Sequence, residues 1–96
     1  GDRETTNVPL QALYLMNSPL VRARAESLAG RVPKEVAEAA DRPGYAFRLC
    51  FGRTPDAAEA KLATEFFVAA KEESSAKTLA AYCQALLAAA EFRNVD

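Results

Sequence analysis

Apolar residues recur along this chain at helical spacing, and proline-led polar corners interrupt them. Val21, Ala25, Leu28 and Val32 follow one another at intervals of four, three and four, the stripe of an amphipathic helix. Ser18-Pro19 precedes that stripe in the order of an N-cap and a first helical residue, so a helix is expected to start there. Upstream, the pattern predicts a helix from about Val8 to Met16. Thr6 or Asn7 caps it, Pro9 lies in its first turn, and Leu10, Leu13 and Tyr14 share a face. Asn17 reads as its left-handed terminator, and "TTNVPLQALYLMNSPLV" as a whole reads as a helix–turn–helix corner. Ser18 is expected to accept a bond from the backbone N–H of Leu20 or Val21, a cap whose loss costs about 1 kcal/mol.

Beyond the stripe, Gly30 loosens the helix end and Pro33 opens a short helix to about Ala40, stopped before Pro43-Gly44. "YAFRLCF" alternates Tyr45, Phe47, Leu49 and Phe51, as a strand would. Gly52 is nonetheless a good helix terminator, and a lone strand would have no partner, so residues 45–51 are expected to be helical. Thr54-Pro55-Asp56 repeats the cap-proline pattern and opens a helix to about Glu73, with Ala58, Leu62, Phe66 and Ala69 on its buried face. Ser74 or Ser75 punctuates. A last helix follows, with Leu79, Cys83, Leu86 and Ala90 on one stripe and Phe92 near its end. The pattern thus predicts an all-α fold, a compact bundle of about five or six short-to-medium helices with antiparallel neighbours. Its expected core is Leu13, Val21, Leu28, Phe47, Leu49, Leu62, Phe66, Leu79, Leu86 and Phe92.

Composition supports this and narrows the chemistry. The chain has 96 residues, enough for one domain (1–96), with Gly1 read as a cloning remnant. Half the residues are hydrophobic, mostly the strong helix formers alanine and leucine. The net charge of -1 shows no basic stripe, which disfavours nucleic-acid binding. No apolar run reaches the ~20 residues of a membrane span, and these residues contain no leader. Histidine is absent, which removes Ser-His and Cys-His nucleophile pairs, the HExxH zinc site and the CxxCH haem attachment. Cys50 and Cys83 are too few and too far apart for a zinc knuckle, and no metal site is expected. On buried stripes they act as small hydrophobes, or as a disulfide if the domain is exported and the two helices touch.

Four polar residues invite a functional reading. Gln11 and Asn17 bracket the first apolar segment and would hydrogen-bond a ligand, although caps and loop clips explain their spacing as well. Arg48, its stem covered by apolar neighbours, and Arg53 would clamp an anion. Pairing with Glu59 or Glu91, or compensation of a helix C-terminus, explains them without a phosphate loop. Glu35, Glu38, Glu72 and Glu73 read as solvated faces, because nothing beside them would push two carboxylate pKa values apart. No catalytic residue emerges.

Three motifs in order, "TTNVPLQALYLMNSPLV", "YAFRLCFGRTPDAAE" and "AYCQALLAAAEFRNVD", resemble the C-terminal end of the domain of unknown function 1553. The resemblance covers nearly the whole chain. The family's final motif has an aromatic where Asn94 stands, and the Pro43-Gly44 break is unusual for it. The family belongs to large proteins of planctomycetes and related bacteria, often beside planctomycete-type cytochrome c domains. The resemblance implies a piece of an exported multidomain protein, periplasmic or at the cell surface, with haem in other domains and no cofactor here. Two readings follow. One is a non-catalytic helical module that packs against upstream domains of the same protein, or forms a homodimer through an exposed first helix. The other is the C-terminal part of an enzyme active site completed upstream, polysaccharide-related or redox, to which Gln11, Asn17 and Arg53 contribute.

Overall fold

The computed structural model describes residues 17–71 and 73–95, with side chains described up to residue 90. Its elements are α1 (Pro19–Glu35), a short 3-10 turn (Ala39–Asp41), α2 (Arg42–Phe51), α3 (Ala57–Ala69) and α4 (Ser75–Val95). Among the described residues there is no strand and there are four α-helices, so the fold is all-α; the first of the five or six expected helices falls outside those residues. The helix expected from Val8 to Met16, its caps, Leu13, Glu72 and the Phe92 side chain lie outside the described residues.

α1 begins as expected at Pro19, with Ser18 at the cap position in an extended conformation. The Ser18 hydroxyl, however, makes no capping bond; its carbonyl accepts from the Arg22 N–H at 3.0 Å. Proline already removes one orphan donor, and the exposed first turn leaves the others to water. Asn17 does not take the expected left-handed conformation, since no non-glycine residue described has positive φ. Further along, the helix runs straight through Gly30 and Pro33 to Glu35. Pro33 sits in the last turn, where it deletes only the bond to the Ala29 carbonyl. Val32, wholly buried, anchors that turn in the core, and its carbonyl accepts from the Val36 N–H at 2.8 Å. The separate helix expected over 33–40 therefore does not form.

The chain turns the corner through Val36–Glu38 and the 3-10 turn. Arg42 holds the corner: its Nε donates to the Val36 carbonyl and its Nη2 to the Ala37 carbonyl, both at 2.9 Å. Pro43 falls in the first turn of α2, where a missing N–H costs no helical bond. Pro43-Gly44 thus begins a helix instead of stopping one. Residues 45–51 are helical, and Gly52 ends them at φ 74° with its N–H on the Arg48 carbonyl at 2.8 Å. Only glycine adopts that conformation without a Cβ clash.

α3 is capped by Asp56, not Thr54. The Asp56 carboxylate accepts from the Glu59 N–H at 2.8 Å, and the Glu59 carboxylate accepts from the Asp56 N–H at 2.9 Å, a complete capping box. The helix ends at Ala69, short of Glu73. Its expected buried face is the wrong one: Ala58, Leu62, Phe66 and Ala69 are all exposed, and Ala63 faces the core with Phe67 half-buried beside it. A displacement of one residue rotates a helix face by about 100°. In "AAEAKLATEFFVA" both stripes are apolar; the Tyr82 ring meets Phe67 edge-on at 5.3 Å and Phe66 at 5.8 Å, and the small Ala63 is the residue seated in the core.

Ser74 caps α4, its hydroxyl accepting from the Lys77 N–H at 3.2 Å. The expected stripe is buried at Leu79, Cys83 and Leu86, and Tyr82 and Ala88 are buried as well. Burial on more than one face makes α4 the central helix, against which α1, α2 and α3 all pack. Val21 and Phe47 complete the confirmed part of the core, and Leu28 lies at its edge. Leu49, at 39% exposure, Leu62 and Phe66 do not belong to it.

Candidate functional site

Of the residues singled out by the sequence, Asn17, Arg48 and Arg53 lie before α1, in α2 and after α2. Gln11 lies outside the described residues. Asn17 is exposed in the turn before α1, and Arg48 is exposed in the last turn of α2. Arg53 is engaged in structure. Its guanidinium forks onto Glu59 at 2.8 and 3.0 Å and lies 5.1 Å over the Phe47 ring. The Glu59 hydrogen bond raises the Arg53 pKa. Glu59 thus ties the α2 terminus to the α3 capping box, which is the pairing the spacing allowed and not an anion clamp.

Glu35 does more than face solvent. Tyr45 Oη donates to one carboxylate oxygen, and Arg31 Nε donates to the other at 2.8 Å. The Tyr45 hydrogen bond first, and Arg31 second, hold this carboxyl below its ordinary pKa; Glu35 in turn raises the phenol. The cluster fastens α1 to α2 across the proline corner. It offers a single carboxylate, already neutralised, and no nucleophile beside it. Glu38 and Glu73 are exposed, Glu73 lying 3.9 Å from Lys77. Among the described residues, no three His, Cys, Asp or Glu side chains gather as metal ligands, and no helix is long and apolar enough to cross a membrane.

A more extended feature is apolar. A groove of about 690 Å³ runs beside α3, lined by Pro43, Pro55, Ala60, Phe67, Val68 and Tyr82 among others. The 3-10 turn and the start of α2 form one wall, α3 forms the other, and the Tyr82 ring lies between. Val68 on the groove side is 63% exposed and Leu62 on the opposite flank 65%, while Ala63 alone is buried along the whole helix. A large apolar side chain stripped of cover on both flanks of one helix marks a contact surface more often than scattered leucines do. Periodicity did not reveal this groove, because its walls come from three separate elements. The one legible signal was an α3 segment with two apolar stripes, one through Leu62 and Phe66 and one through Ala63 and Phe67.

A family model described as Protein of unknown function (DUF1553) matches residues 1–67. The match takes in the first two sequence motifs and ends within α3; "AYCQALLAAAEFRNVD" lies beyond it. No curated protein and no solved structure matched the chain.

Proposed function

Because the chain belongs to the family described as Protein of unknown function (DUF1553), we propose that it is a non-catalytic helical module whose α3 surface packs against upstream domains of the same protein. The observation that carries this reading is the exposure of Leu62 and Val68 on a helix that buries only Ala63. The apolar groove alongside supplies a concave seat with few polar groups to desolvate. Arg53, Glu59, Asp56 and Glu35, the polar groups nearest a site in character, are committed to caps and ion pairs. On the same reading the parent protein is exported and its haem-bearing domains lie elsewhere, since this chain has neither histidine nor CxxC.

Titration of the chain with its separately produced upstream region, followed by calorimetry, tests the proposal. We expect saturable binding of the wild-type chain and at least ~10-fold weaker binding for Leu62→Asp and for Val68→Asp, both with unchanged helical circular dichroism. Equal affinity of wild type and both variants, or no binding by the wild type, overturns it.

A further inference from the structure

Cys50 and Cys83 sit in one packing layer on neighbouring helices. Cys83 is wholly buried on the α4 stripe, and Cys50, half-buried, packs against the cluster that contains it. Ala46, Phe47 and Cys50 share one face of α2, since residues three and four apart on a helix are neighbours. On α4, Leu87 lies one turn beyond Cys83 along the same side. Leu87 and Cys50 together line a solvent-open cavity of about 290 Å³. Cys50 and Cys83 thus belong to one apolar cluster across the α2–α4 contact, near enough for the Cys50 charge to raise the Cys83 pKa beyond the effect of burial. Ala46, fully buried in the same cluster, presents only a methyl group, which lets neighbouring helices come close.

The two thiols differ in access. Cys50 opens on the cavity; Cys83 has no exposure at all. We propose that they are a redox pair, Cys50 the entry thiol and Cys83 the resolving thiol, which closes a disulfide between α2 and α4. With oxidised glutathione as oxidant, the Cys50 thiolate attacks one glutathione sulfur, and the other leaves as glutathione thiolate. The Cys83 thiolate then attacks the Cys50 sulfur of the mixed disulfide and expels the second glutathione. Each protein thiol gives up one proton, and each departing glutathione thiolate takes one from solvent. Two protein thiols are thereby oxidised as one glutathione disulfide is reduced to two thiols. Burial pushes the Cys50 thiol up to about 11 and the Cys83 thiol up to about 12, so exchange is slow at neutral pH and accelerates with alkalinity.

The ring so closed contains all of α3, the helix that buries least. Oxidation would tether both ends of that helix without touching its exposed face. The inference rests on the placement of the thiols and not on the docking reading above.

The test is equilibration of the wild-type chain with a glutathione redox buffer at mildly alkaline pH, followed by alkylation, intact mass and peptide mapping. We expect a monomer lighter by two hydrogens, a Cys50–Cys83 linked peptide, and a thermal midpoint raised by roughly 10–20 °C. Cys83→Ala should stop at a stable glutathione adduct on Cys50. Should that variant not fold, Cys50→Ala provides the complement, with Cys83 left unmodified in the folded chain. A wild-type chain that accumulates the Cys50 adduct, forms dimers through Cys50, or keeps both thiols free at equilibrium overturns the proposal.

Discussion

At the scale of single residues, the same cap-and-proline grammar had two different outcomes. Ser18 precedes Pro19 and does not use its hydroxyl, whereas Asp56 follows Pro55 and closes a reciprocal box with Glu59. Asp56→Ala should therefore cost about 1 kcal/mol in a urea titration, while Ser18→Ala should leave the midpoint nearly unchanged. Equal losses for the two would contradict the geometry. The Glu35–Tyr45 bond has a pH signature. The Glu35 pKa lies below its ordinary 4.5, so its contribution is present above that value and is lost as pH falls through the folded-state pKa. The Tyr45 pKa lies above its ordinary 10.0, so the contribution is present below that value and is lost as pH rises through the folded-state pKa. The stability difference between wild type and Tyr45→Phe should thus be widest across the neutral range and shrink at both ends. A difference independent of pH would remove the bond from the account. Glu35 is exposed and Tyr45 only half-buried, so high salt should reduce the difference as well.

At the scale of elements, α3 is the informative case. Its sequence reads as a helix from almost any method of inspection, yet the side it buries is not the side a leucine–phenylalanine stripe suggests. Leu62→Ala should change stability by no more than about 0.5 kcal/mol, as for other exposed positions. Phe47→Ala, on a residue 4% exposed and covered by Arg53 and Phe51, should cost roughly 3–5 kcal/mol. Chemical denaturation of the two variants checks both figures, and a large loss at Leu62 would put that residue back in the core. α1 teaches a related lesson. Pro33 signals a helix boundary by its own chemistry, but one missing hydrogen bond in a last turn is outweighed by the burial of Val32 immediately before it.

At the scale of the whole molecule, α4 organises the described residues, because α1, α2 and α3 all pack on it. Its stripe of Leu79, Cys83 and Leu86 was legible from spacing, as were the helical state of 45–51, the Gly52 terminator and the Arg53–Glu59 pair. These properties are local: propensity, a period of 3.6 residues and short-range caps act within a turn or two of chain, so the order of residues suffices to specify them. The family, too, could be read from short motifs. The burial of Ala63 in place of Leu62, the passage of α1 through Pro33, the Arg42 clasp on the corner and the groove beside α3 were decided elsewhere. Each depends on which surface arrives from a distant part of the chain. Where two faces of a helix are nearly equal in apolarity, as in α3, periodicity has no preference, and the surface that α4 presents makes the choice.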